Sequence, residues 1–237
     1  MSEFNLSKPT RTIHVGVVLC NSVTEALDVV PIDLLHGVST NFIKDMPSLI
    51  PEPFQNKGLP IEFHWVSENG PKDTRKLTSG IILTPTDSFA DCPALDIVLV
   101  GAHHIDYVTT DAERAFIRKA YSTCSAFMTV CGGILIAVEA GLVSGKTVTG
   151  PRFMFPQLRA AAPDATWIEK RYVQDGKLWT SGALHNGLDM MAAFMKQTWG
   201  AEVREPNLIQ YGLVLGSALN RDIDYKDEPL PADMQVA

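Results

Sequence analysis

Cys131 stands where one apolar run ends, two glycines follow and a second apolar run begins: Ser125-Ala-Phe-Met-Thr-Val-Cys131-Gly132-Gly133-Ile-Leu-Ile-Ala-Val-Glu139. A strand that stops at a cysteine and turns at once into a helix is a nucleophile elbow. The turn is tight, so small residues must follow the sulfur, and Gly132 and Gly133 supply them. The chemistry open to such a site is attack by sulfur on an electrophilic carbon. A free cysteine has a pKa of about 8.5 and is only a few per cent thiolate at neutral pH. Lowering that value by about two units takes roughly 2.7 kcal/mol of preferential anion stabilisation. The N–H groups and dipole of the following helix, with one hydrogen bond, can supply it. The same stretch also reads as a buried structural thiol at a strand end, because free cysteine is among the most buried residue types.

Other residue types capable of chemistry sit at the ends of apolar runs. Asp28 follows the first run and reads either as a site acid or as a helix-end acid. His103 and His104 lie in Gly101-Ala-His-His, after the run Ala94–Val100. His185 lies in the small-residue loop Ser181-Gly-Ala-Leu-His-Asn-Gly187, where it reaches a pocket, caps a helix or meets solvent. Arg152 is either an anion-binding group or half of a surface ion pair. Asp33 reads as a solvated helix residue, Cys20 as a core thiol or a pocket thiol, and Cys92 and Cys124 as structural.

The elements that must position these groups alternate between strand and helix. Ile13–Cys20 is continuously apolar, as in a parallel strand buried on both faces. Pro31 suits the first turn of a helix reaching about Ile43. Residues 44–60 hold Pro47, Pro51, Pro53 and Pro60 and read as a long loop. Ile61–Val66 alternates as a second strand, and Ile81–Thr84 reads as half of a hairpin. Ala94–Val100 is a buried strand whose carboxyl end opens into a loop, where parallel α/β sheets bind ligands. A helix over Asp111–Tyr121 leads to the elbow strand, Ala126–Val130. Beyond the elbow, Val148 begins a short strand and Phe153–Ala162 is helical. Gln174-Asp-Gly176-Lys is a hairpin turn between two strands. Helices are expected over Leu188–Trp199 and over about Glu202–Leu219. The pattern predicts an α/β fold with a largely parallel sheet. The expected organisation is a tail at 1–11, one domain at 12–219 and a second tail at 220–237.

The chain has 237 residues, 46% hydrophobic and 20% charged, which fits one large domain or two small ones and is enough for a full core. A net charge of −7 argues against nucleic acid or an anionic membrane surface as partner. No stretch reaches the roughly 18 consecutive apolar residues of a membrane span. The first residues carry Glu3 and no apolar run of signal-peptide length. Cys20, Cys92, Cys124 and Cys131 show no CxxC pairing, so they read as thiols in a reducing, cytoplasmic setting, without a zinc site.

The order of these features resembles the DJ-1/PfpI (ThiJ) superfamily. The resemblance rests on Leu27-Asp28-Val-Val-Pro31, Pro93-Ala-Leu-Asp-Ile-Val-Leu-Val100, the elbow, Ala137-Val-Glu-Ala-Gly-Leu-Val-Ser-Gly-Lys146, Tyr172-Val-Gln-Asp-Gly-Lys-Leu-Trp-Thr-Ser-Gly182 and Gly187-Leu-Asp-Met190. It covers roughly residues 13–200 and is strongest with the branch containing isonitrile hydratases and fungal PfpI-like proteins. It implies a flavodoxin-like three-layer sandwich, a homodimer, no cofactor, and Cys131 as nucleophile. It further implies that Asp28 is a protonated partner of the thiolate, and that backbone N–H groups near Ala102, His103 and Gly132 receive a developing anion. Relatives of the isonitrile hydratase type carry Thr after the cysteine, where this chain has Gly132, and many members have two glycines at Ala102-His103. Glyoxalase and peptidase branches place a His beside the cysteine; here that neighbour is Gly132. The expected activity is that of a hydratase or lyase acting on a small electrophile, isonitrile to N-substituted formamide being the leading match and a related secondary-metabolite reaction its variant. The rival is a non-enzymatic redox sensor or chaperone-like protein that oxidises Cys131. A transcription regulator is disfavoured by the acidic charge and by the lack of a helix-turn-helix pattern after residue 200.

Overall fold

The apolar run after residue 12 forms β1 (Ile13–Val18), and its two faces feed two different cores. Ile13, Val15 and Val17 pack on one side, and Val18 packs on the other. The same alternation recurs along the neighbouring strands. Leu99 faces the first core, while Val98 and Val100 face the second. Strands covered on both faces over most of their length have little solvent side, which explains the largely apolar character of these runs.

The computed structural model describes residues 4–200, 208–215 and 221–225. After β1 come β2 (Ile61–Ser67), β3 (Arg75–Lys76), β4 (Ile82–Leu83), β5 (Asp87–Ser88), β6 (Ile97–Val100) and β7 (Ala126–Thr129). Then follow β8 (Thr147–Val148), β9 (Thr166–Trp167), β10 (Tyr172–Asp175) and β11 (Leu178–Ser181). The main sheet has the order β10-β11-β7-β6-β1-β2-β5. Its pairings are parallel except for the β10–β11 hairpin. The expected hairpin at Ile81–Thr84 is present as β4 pairing antiparallel with β3.

The helices are α1 (Ala26–Val29), α2 (Ile32–His36), α3 (Thr40–Asp45), α4 (Asp111–Thr123), α5 (Ile134–Glu139), α6 (Phe155–Ala161), α7 (Asn186–Trp199) and α8 (Leu208–Leu215). Residues of α2, α3, α7 and α8 close the first core, and those of α4, α5 and α6 close the second. The result is the flavodoxin-like three-layer arrangement. The sequence of α4 shows how sharply one boundary is set. Thr110 accepts from the Glu113 N–H while the Glu113 carboxylate accepts from the Thr110 N–H, a reciprocal capping box.

Two expectations need correction. The single helix predicted from Pro31 to Ile43 is interrupted between α2 and α3. Ser39 is extended there, and its hydroxyl accepts from the Phe42 N–H, restarting the helix as a cap. The helix expected from about Leu188 begins at Asn186. The last predicted helix is seen as α8; the rest of Glu202–Leu219, and residues 226–237 of the expected tail, lie outside the described residues.

Chain order puts the crevice between β1 and β6. From β1 the chain passes to β2 on one side and later returns to β6 on the other. Loops leaving the carboxyl ends of β1 and β6 therefore diverge, which leaves an opening above the sheet. Asp28, Ala102 and Cys131 all follow carboxyl ends of β1, β6 and β7.

Candidate active site

The elbow is built by backbone geometry that a cysteine does not favour. β7 runs into Val130, whose backbone is still extended, and the chain turns at Cys131–Gly133 before α5 begins. Cys131 takes φ 55°, in the left-handed region that costs an L-residue roughly 1–2 kcal/mol. The Cys131 N–H is held by the Gly182 carbonyl at 3.0 Å, which ties the elbow to the loop after β11. That loop is strained as well, with Leu184 at φ 47°. Strain of this kind persists where surrounding structure over-determines it, and it collects at functional sites.

Gly133 is sterically required. A Cβ there would stand 2.4 Å from the Val100 carbonyl oxygen and 3.0 Å from Gly101 backbone. Gly132 is tighter than average but less severe, its added Cβ lying 3.1 Å from the Ala102 methyl. Gly133→Ala is expected to lower stability by about 3 kcal/mol, or roughly 6–12 °C in Tm, measured by thermal denaturation. Gly132→Ala is expected to cost less than half of that.

Asp28 lies in α1 and is fully buried, with 0% of its surface exposed. Its Oδ2 accepts the Ala102 N–H at 2.8 Å. Its Oδ1 is buried and lacks a well-formed hydrogen bond among the described residues. The Cys131 thiol and the Leu184 N–H also act on this carboxyl. Burial is the largest influence on its acidity and raises its pKa from 3.8 to about 7, against the Ala102 hydrogen bond. Desolvation, more than the like charge of Glu25, is what favours its protonated form.

Cys131 differs from expectation in the opposite sense. Burial first, and the nearby Asp28 charge second, push its thiol up to about 12. The N–H groups of Gly132 and Leu184 pull the other way and do not overcome this. The helix behind the sulfur is only six residues long, and the acid beside it carries negative charge once ionised. The resting site therefore holds a thiol beside a carboxylate of intermediate acidity, and not the expected resting thiolate. Cys131 keeps 9% of its surface accessible, against 2% for Cys20 and 4% for Cys124. All four cysteines are unbridged.

The remaining sequence candidates separate clearly. Ala102 does not offer its N–H to a substrate anion, because Asp28 holds it. The Gly132 N–H acts on the sulfur itself. His103 donates from Nδ1 to the His104 carbonyl, 2.9 Å away, which assigns the ring proton to Nδ1 because a carbonyl only accepts. Its Nε2 is buried without a hydrogen-bond partner among the described residues. His104 is exposed and takes part in a loop contact with Ser22. His185 is exposed, and its side chain makes no cap to α7. Arg152 forms an ion pair with Glu169 at 3.4 Å and stacks on Tyr225. Asp33 is exposed, and Cys20 is a core thiol beside Glu113. The group that sequence reasoning missed is Leu184, which contributes through its N–H.

Residues 48–197 match the DJ-1/PfpI family, a span that includes the elbow and begins after Asp28. The chain belongs to the DJ-1/PfpI family. It is 30% identical over 141 residues to an isonitrile hydratase of Pseudomonas putida, a match covering 56% of this chain and 60% of that enzyme. The chain thus spans less than two thirds of that relative. Its fold is similar to a ThiJ/PfpI family protein of Pseudomonas syringae (TM-score 0.64, 17% identity, 93% of this chain and 77% of that one). It is also similar to Drosophila melanogaster DJ-1beta (TM-score 0.62, 16% identity, 88% of this chain and 99% of that one). An AraC family transcriptional regulator of Pseudomonas putida shares the fold too (TM-score 0.66, 13% identity, 86% and 98%). Among the described residues, no helix is long and apolar enough to cross a membrane.

Proposed function

We propose that this DJ-1/PfpI protein is a cysteine-dependent hydratase of a small electrophile, with an isonitrile as the leading substrate class. The observation that carries this reading is the Cys131–Asp28 pair: a buried thiol at a strained elbow beside a carboxyl poised near neutrality. The likeness to an isonitrile hydratase supports the substrate class.

In this reading Asp28 is the base that activates the sulfur. The Cys131 proton passes to Asp28 as sulfur bonds to the terminal isonitrile carbon, and Asp28 then delivers that proton to the same carbon. The product is a thioimidate, R–N=CH–S. Water next adds to the C=N carbon as hydroxide, its other proton passing by way of Asp28 to the nitrogen, which leaves Asp28 ionised again. The tetrahedral R–NH–CH(OH)–S collapses to the formamide, and sulfur leaves with a proton. The sum is R–NC plus water to R–NH–CHO. His103 Nε2, a buried acceptor next in chain to Ala102, is suited to orient the water. Arg152 and His185 stay outside this chemistry, given their ion pair and exposure.

The redox-sensor alternative meets a physical obstacle. Oxidation by peroxide follows thiolate character, and burial together with the neighbouring Asp28 charge pushes the Cys131 thiol towards its protonated form. A single panel separates the two readings: isonitriles, α-oxoaldehydes and enones assayed by product formation, with intact-mass measurement after mild peroxide. Formamide production with little oxidation at Cys131 is the expected result. Rapid, selective oxidation of Cys131 with no substrate consumed would overturn the proposal.

A homodimer fits the exposed apolar side chains Leu27 and Val30 flanking the α1–α2 turn, and sedimentation would reveal it. The unbridged cysteines fit a reducing, cytoplasmic setting.

A further inference from the structure

Strand register assembles a second cluster of ligating groups at the opposite end of the sheet. β1 and β2 pair in parallel with His14 opposite Glu62 and Gly16 opposite His64. Side chains alternate along a strand, so His14, Glu62 and His64 share one face. His14 Nδ1 lies 3.0 Å from His64 Nε2 and 3.7 Å from Glu62 Oε2. One ligand atom from each of the three falls within 4.8 Å of the others. A tetrahedral zinc ion with bonds of about 2.0–2.1 Å needs donor atoms about 3.3 Å apart. The two measured edges bracket that value.

The surroundings are those of a ligand site more than of a chance contact. His64 is buried, and its Nδ1 lies 3.0 Å from Asp87 Oδ2. A carboxylate accepts there, so the proton sits on Nδ1 and the Nε2 lone pair faces His14. Fixing a histidine tautomer through a carboxylate is the arrangement that orients metal-bound imidazole. Thr86 in turn donates its hydroxyl to Asp87, which holds the carboxylate in place. Glu62 is 60% exposed and His14 is 25% exposed, so an ion has a path in and a solvent position to fill. Placing a lone pair of each imidazole towards the centre requires only that His14 carry its proton on Nε2.

We propose that His14, Glu62 and His64 bind one divalent transition-metal ion of the zinc class, with Asp87 positioning His64. Two imidazoles and one carboxylate suit zinc and exclude a preference for magnesium or calcium, which take oxygen ligands. Bound metal would clamp β1 to β2. The site is independent of the Cys131 chemistry, which lies beyond the carboxyl ends of the strands.

The test uses the full chain with Zn²⁺ alone, then Mg²⁺, in thermal-shift titrations. Zn²⁺ is expected to raise Tm by about 5–10 °C at a hundredfold excess over Kd, saturating at one ion per chain, and Mg²⁺ is expected to have no effect. Glu62→Gln, at an exposed side chain, should weaken binding at least about tenfold without altering the unliganded Tm. His14→Gln should weaken it more, and Asp87→Asn by about 10–100-fold. Co²⁺ in place of zinc should give visible bands of a nitrogen and oxygen ligand set. A sulfur-to-cobalt charge-transfer band would place the metal on a cysteine and overturn the proposal. So would zinc affinity unchanged in both Glu62→Gln and His14→Gln.

Discussion

Cys131→Ala is expected to remove turnover almost completely, a fall of at least about 10⁴-fold in kcat with substrate still bound. Sulfur forms the bond that the proposed hydration needs, and no other cysteine stands in its place. Cys20 and Cys124 are buried, each pushed up in pKa by desolvation, and neither adjoins Asp28. Cys131→Ser should be nearly as inactive as the alanine variant. A hydroxyl is a far weaker acid and a poorer nucleophile than a thiol, so its proton passes to a base titrating at about 7 only at a much higher cost in the same geometry. Cys131→Gly provides an internal check on the strain argument. At φ 55° glycine meets no steric penalty, so this variant should be more stable than Cys131→Ala by about 1 kcal/mol while equally dead. Product assays and thermal melts on the three variants decide the matter. Wild-type turnover in either Cys131→Ala or Cys131→Gly would refute sulfur as the nucleophile.

Much of this site could be read from residue types alone. Continuous apolar runs such as Ile97–Val100 announce strands buried on both faces, and Gly132-Gly133 after Cys131 announces a tight turn. Asp28 could be singled out because it is an acid following the first strand. What sequence could not carry was the contribution of backbone. Leu184 acts through an N–H and a left-handed φ, so its side-chain identity signals nothing, whereas the ring of His185 beside it does. The Ala102 N–H was expected to face substrate, because sequence does not say which acceptor reaches a given amide first. Thiol acidity is not legible in sequence for a related reason. A helix start and a glycine turn are local signals, whereas the desolvation that raises Cys131 comes from residues far apart in the chain. The His14–Glu62–His64 cluster was invisible for the same cause: each residue is ordinary until the β1–β2 register sets them side by side.

Asp28→Asn is expected to trade activity for stability. In the folded chain burial raises the Asp28 pKa to about 7, whereas 3.8 is the ordinary value of an unfolded aspartate. The folded state therefore favours the protonated acid. Below about pH 4 both states are protonated and the burial carries no ionisation penalty. As pH rises from about 4 to 7 the unfolded chain ionises freely and the folded chain does so only against desolvation, so stability falls. Above about 7 the loss levels off at no more than about 4 kcal/mol, about 3 units at 1.36 kcal/mol each. Asparagine keeps an acceptor for the Ala102 N–H and carries no charge at any pH. The variant should thus lose this pH slope and melt several degrees above wild type at pH 8, while the two converge near pH 4. Its activity should fall by about 10²–10⁴-fold, because the base that receives the Cys131 proton is gone. In wild type, kcat/KM should rise with pH through about 7 as Asp28 ionises, and that inflection should vanish in the variant. An active, destabilised Asp28→Asn would contradict both halves of the argument, since the same buried carboxylate is held to weaken the fold and to activate the sulfur.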